Sequence, residues 1–148
     1  GGSDDEVAEI IWRNKAAGIR AYGTHYAYAT DSNGDSQYVE FSRVEDIYLL
    51  LSVKVTSTGD LADDYVTRIQ NLLAEEKLTA GQSIRLQSFI KTIMLNVSGA
   101  DYIEIRGILS ETPDIAGVAD SVMLEKVVPV KITQQPVISA NGIRVVKV

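Results

Sequence analysis

An α+β fold is what this sequence predicts, and three observations predict it. The stretch Asp46–Thr56 alternates cleanly, with Ile47, Leu49, Leu51, Val53 and Val55 on one side. Two stretches of helical apolar spacing come after it, over 60–77 and 83–95. Strand alternation then resumes at Tyr102-Ile-Glu-Ile-Arg106 and dominates the C-terminal third. Strands grouped before and after a pair of helices imply a mixed or mostly antiparallel sheet, with both helices packed on one face.

Taken in order, the chain opens Gly1-Gly2-Ser3, which reads as a tag scar or linker, although Ser3 can also cap the adjoining helix. Residues 4–15 form that short helix. Asp4, Asp5 and Glu6 suit its positive end, Val7, Ile10 and Ile11 keep helical spacing, and Gly18 marks its stop. Next comes a β-hairpin. Asn33-Gly34 between alternating segments predicts a two-residue type I′ turn, which sets Tyr28 opposite Val39 and Tyr26 opposite Phe41. That register gathers aromatic and β-branched residues on one face and leaves His25, Ala27, Tyr38, Glu40 and Ser42 on the other. The strands from 24 to 56 and from 101 to 106 are expected to share one sheet.

The first of the two longer helices begins with Asp60 as its cap and carries Leu61, Tyr65, Ile69, Leu72 and Leu73 on one stripe. Gly81 separates it from the second, which buries Ile84, Phe89, Ile90, Ile93 and Met94. Residues 110–120 read as loop. Val127–Thr133 reads as a strand, Pro136 as punctuation, and Asn141-Gly142 as a second tight turn. The domain reading is therefore 1–3 scar or linker, 4–109 an α+β domain, and 110–148 an extended β-rich segment that either belongs to it or serves as a docking arm.

Composition removes several classes of function. The 148 residues carry a net charge of −6 with 45% hydrophobic and 23% charged residues, ordinary for a globular domain. An acidic chain with scattered basic residues has no nucleic-acid groove and no polybasic membrane patch. No apolar run reaches the roughly 20 residues of a membrane helix. With no cysteine, thiol chemistry, disulfides and cysteine-based zinc sites fall away together.

Local candidates for chemistry resolve toward scaffold. Asp31, Asn33 and Asp35 alternate as in a calcium loop, but Ser36 stands where an EF-hand requires glycine and Ser42 where it requires a bidentate Glu. His25 with Glu40 and Asp31 is the one combination that suggests a metal or acid/base group, and a lone histidine makes a weak one. Asp63, Asp64, Glu75 and Glu76 sit near helix ends and read as surface charge. No nucleophile elbow, P-loop or dinucleotide fingerprint is present. The expectation is no catalytic residue, no cofactor, no metal and no small-molecule substrate.

One stretch reaches beyond generic scaffold. "EVAEIIWRNKAAGIRAYG" with a hairpin after it ending "VEFSR" resembles the baseplate J-like protein family, wedge components of contractile phage tails and related injection machines. Lys15, Ala17, Gly18, Ile19, Gly23, Val39, Phe41 and Arg43 match its pattern of a short helix, a second glycine, a variable hairpin and a Phe-x-Arg segment. The strand from Ile47 to Val55, Gly81 between two helices, and "VSGADYIEI" continue the likeness, which spans residues 6–107. Val44 departs from it, standing where the family usually has proline.

The resemblance implies a structural role without catalysis, in the C-terminal part of a wedge protein. It places the chain in a virion tail baseplate, or a prophage-like particle assembled in the bacterial cytoplasm. Its partners would be neighbouring baseplate and tail proteins, with self-association open. Asn33 and Gly34 join Gly18, Gly23, Phe41, Arg43 and Gly81 as structural positions. Trp12, Tyr22, Tyr38, Val128, Val130 and Ile132 are the interface candidates, since aromatics with polar tips and unpaired β-branched strands favour contacts. The alternative is a small α+β ligand-binding or regulatory domain with the tyrosine hairpin as one pocket wall; an enzyme built around His25 ranks third.

Overall fold

The computed structural model describes residues 2–148, and Gly1 of the expected linker lies outside the described residues. The chain divides into two compact units, one ending at Arg43 and one running from Val44 to Val148. The fold is α+β, with mostly antiparallel sheets.

The first unit opens with α1, Asp4–Asn14. Ser3 starts it through a capping box: its hydroxyl accepts from the Glu6 N–H at 3.3 Å, and the Glu6 carboxylate accepts from the Ser3 N–H at 2.8 Å. Ser3 thus caps the helix, as its position before Asp4 suggests. The helix ends at Asn14, short of Gly18, which instead lies in the turn closed by Ile19 N–H to the Ala16 carbonyl. Two antiparallel strands come next, β1 (His25–Thr30) and β2 (Ser36–Phe41).

The hairpin register differs from the sequence expectation by one residue. Tyr28 pairs with Tyr38, Ala27 with Val39, and His25 with Phe41. The reason lies in the turn. Gly34 alone has positive φ (+87°), whereas a type I′ turn needs it at Asn33 too. The carboxylate of Asp31 accepts from the backbone N–H groups of Asn33 (2.9 Å) and Asp35 (3.0 Å), and so closes a longer loop from Asp31 to Asp35. A slip of one residue exchanges the faces. Ala27, Ala29, Val39 and Phe41 point inward and pack on Ala8, Val7, Ile11 and Trp12 of α1, while the tyrosines point outward.

This hairpin is a separate two-stranded sheet, so the expected single sheet over 24–56 and 101–106 does not form. Its small inner residues let α1 lie close, and a two-stranded ribbon needs such a cover to persist.

The second unit is built on β3, Glu45–Thr56. The chain continues through α2 (Tyr65–Ala74), β4 (Ile84–Arg85), α3 (Gln87–Asn96), β5 (Tyr102–Ser110), β6 (Val127–Val128), β7 (Gln134–Val137) and β8 (Ile143–Lys147). β5 runs antiparallel along one edge of β3; β7 and then β8 run parallel along the other. Leu49, Leu51, Val53 and Val55 face Ile69 and Leu73 of α2 and Phe89 and Ile93 of α3, as the two apolar stripes predict. Burying each such side chain contributes about 1.5–3 kcal/mol, the main term holding this unit together.

Four details depart from expectation. α2 starts at Tyr65 rather than after Asp60, with no side-chain cap at Asp64. Ile84 and Arg85 pair with Val128 and Val127 as a short ladder, so α3 begins only at Gln87 and turns Met94 outward. The strand expected over 127–133 stops at Val128, and residues 131–134 make a turn. Finally, Asn141-Gly142 makes no hairpin. Neither residue has positive φ, and the Ser139 hydroxyl accepts from the Gly142 N–H in a 3-10 turn that keeps the chain running along β3. β7 and β8 are thus part of the main sheet. Val128, Ile138 and Ile143 lie in the core of the second unit.

Candidate functional site

Because the register places Tyr26 and Tyr28 on β1 opposite Glu40 and Tyr38 on β2, one face of the hairpin is aromatic and exposed. Tyr26, Tyr28 and Tyr38 are 58%, 55% and 47% exposed. Their rings nevertheless pack on one another, with centroids 5.2 Å apart for Tyr26–Tyr38, 5.8 Å for Tyr28–Tyr38 and 6.2 Å for Tyr26–Tyr28. Mutual packing restricts the rotamers open to each ring, and so reduces the side-chain entropy that any contact at this face would cost. The Tyr38 hydroxyl donates to Glu40 at 3.2 Å. Partial burial, and then the bond and charge of Glu40, hold the Tyr38 hydroxyl's pKa above the ordinary phenol value. Beside this group, the Arg20 guanidinium lies over the Tyr22 ring at 5.4 Å and reaches Glu40 at 4.0 Å.

Gly23, Phe41 and Arg43 shape the hairpin beneath this face. A Cβ at Gly23 would fall 1.9 Å from the backbone carbon of Phe41, so only glycine allows that approach. Phe41 is buried in the small core. Arg43 donates from Nε to Asp4 and from its terminal nitrogen to the Gly2 carbonyl, both at 2.8 Å, and so ties the end of β2 to the start of α1. Gly81, in the second unit, donates its N–H to the Gln134 carbonyl at 2.9 Å.

The interface candidates scatter. Tyr22, Tyr38 and Ile132 are exposed; Trp12 and Val130 pack at the edges of their cores; Val128 is buried outright. Tyr26 and Tyr28, exposed beside Tyr38, are not among those candidates, because a two-residue turn would point them inward. The signal was Asp31, whose carboxylate favours the longer loop.

The chemical candidates do not converge. The His25 ring stacks on Phe41, the Glu40 carboxylate serves Tyr38, and Asp31 commits both oxygens to the turn, with Gln37 donating to the second at 2.8 Å. Those bonds, led by the Asp35 and Asn33 N–H groups, hold Asp31 below the usual carboxylate range. Among the described residues no group of three or more His, Cys, Asp or Glu is arranged to hold a metal. A depression of about 730 Å³ bounded by Lys77, Gln82, Arg85 and Val127 lies in the second unit and is open to solvent.

The back of the main sheet holds a second polar group. Asp120 pairs with Arg144 and, at 3.1 Å, with Lys54, while Arg106 binds Glu104 (2.9 Å) and Glu125 (2.8 Å). Three cations meet three carboxylates, so the group is self-neutralised. It fastens segment 111–126 across the sheet, helped by Ile115 and Met123 packed on Leu50. The Ser52 hydroxyl foremost, then Lys54 and Arg144, outweigh burial and bring the Asp120 pKa down to about 2.

Compared with protein-family models and with curated proteins, the sequence matches none.

Proposed function

We propose that this chain is a structural assembly protein of a contractile tail baseplate, a wedge component that works through protein–protein contacts and carries no catalytic centre. The ordered likeness of residues 6–107 to the baseplate J-like pattern supports the family, and the structural work done by Gly23, Phe41 and Arg43 is consistent with it. The observation that carries the contact role is the cluster of Tyr26, Tyr28 and Tyr38, three large rings exposed together and packed on one another. Interfaces are enriched in tyrosine because one ring supplies apolar area and a hydrogen-bonding tip together. Its partners in this reading are neighbouring baseplate and tail proteins, and its place is the assembled particle.

The test is to purify contractile-tail particles from cells that produce this protein and quantify the chain against the other particle proteins by mass spectrometry. A fixed ratio to the others supports the proposal. Absence from the particle fraction of cells in which both are abundant defeats it.

A further inference from the structure

The tyrosine face has an electrostatic character as well as an aromatic one. Residues 1–43 hold seven acidic side chains against four basic ones. On the outward positions of the two strands (Tyr26, Tyr28, Thr30, Ser36, Tyr38 and Glu40) the one charged residue is Glu40, and Asp31 and Asp35 add negative charge at the turn. Aromatic ring faces carry negative potential, so rings and carboxylate favour a cation together. The neighbourhood already displays this chemistry: Arg20 lies over Tyr22 and reaches Glu40 at 4.0 Å. That contact is long, and the Arg20 side chain is 68% exposed, so little is lost in replacing it.

We propose that this face receives an arginine-bearing segment of a partner protein, its guanidinium groups stacking on Tyr26 and Tyr28 and pairing with Glu40. Arginine suits the site better than lysine, because a planar guanidinium stacks on a ring and binds a carboxylate through two N–H groups at once. A carbohydrate is disfavoured by ring geometry. Interplanar angles of 32°, 66° and 87° leave no flat platform on which successive sugar rings would stack. The inference rests on reading the face as a protein interface and adds the chemistry of the partner.

The experiment titrates the full chain with three probes, an alternating Arg-Ser hexapeptide, its Lys-Ser counterpart and a linear glucose hexasaccharide, tracking the tyrosine ring resonances by NMR. The expected result is that the arginine peptide shifts the Tyr26, Tyr28 and Tyr38 rings and binds at least threefold more tightly than the lysine peptide. Glu40→Gln should weaken it at least threefold, and Tyr26→Thr with Tyr28→Thr at least tenfold. The β-branched replacements preserve strand character, and Tyr26→Phe with Tyr28→Phe, which keeps the rings, should bind as wild type does. Unperturbed rings at millimolar arginine peptide, equal binding by all variants, or a response to the sugar alone would overturn the inference. If the tyrosine variants leave the particle while arginine peptide is inert, this inference falls and the assembly reading stands. If arginine binds as expected but the chain is absent from particles, the reverse holds.

Discussion

Tyr28 stands directly across the hairpin from Tyr38, with ring centroids 5.8 Å apart. This single pairing decides which side of the ribbon the tyrosines occupy. Had Tyr28 faced Val39, Tyr26 and Tyr28 would have packed on α1, and alanines would have faced outward.

The turn that sets this register depends on Gly34 at φ +87°. Gly34→Val forces a β-branched residue into the left-handed region and should destabilise the hairpin by about 1–3 kcal/mol. Asp31→Ala should also loosen it, by removing the acceptor for two backbone N–H groups. Hydrogen exchange at residues 25–41 measures both. Unchanged protection in Gly34→Val would contradict the turn assignment.

A second prediction concerns close approach. Gly23→Ala sets a methyl group inside the backbone of Phe41, so the strand entry must move. Exchange should accelerate across 25–41, while the amides of Leu49, Leu51 and Val53 keep their protection. Wild-type exchange in the hairpin would contradict it.

The C-terminal strand offers a third. Ile143 is buried against the sheet that β3 organises, so Ile143→Ala should cost about 2–5 kcal/mol in chemical denaturation. Removal of residues 143–148 should unfold the second unit. A truncated chain of wild-type stability would favour the docking-arm reading instead.

The fourth is a pH dependence. Asp120 has a folded pKa of about 2, below its ordinary value of 3.8, so its contribution is full above about pH 4 and fades as pH falls toward 2. The pairing side chains are about a quarter to a third exposed, which reduces the gain to about 1–2 kcal/mol. Asp120→Asn should lower stability by that amount at pH 7 and by much less at pH 2. Segment 111–126 should exchange first. Equal loss at both pH values would assign the effect to packing instead.

These outcomes also mark what was legible in the sequence. The alternation of Ile47 to Val55 and the stripes of Ile69, Leu73, Phe89 and Ile93 specified the main sheet and its helical cover, because burial on one face leaves little freedom. The hairpin face was not legible from Asn33-Gly34 alone, since the Asp31 carboxylate competes for the same backbone and moves the register by one. Nor was the path of β7 and β8. Asn141-Gly142 has hairpin composition, yet Ser139 holds it in a 3-10 turn, a tertiary choice that local composition does not encode. The polar group behind β3 was not legible either, because Asp120, the shared partner of Ser52, Lys54 and Arg144, lies far from Ser52 and Lys54 along the chain.

The central claim is that the tyrosine face holds this chain in a contractile-tail baseplate. Its most direct measurement is the amount of chain retained in purified particles when wild type is replaced by Tyr26→Thr with Tyr38→Thr, the variant's fold being checked by thermal melting. The account predicts a folded variant that is depleted from particles at least tenfold, with wild type present at a fixed ratio. A folded variant incorporated at the wild-type ratio would contradict it.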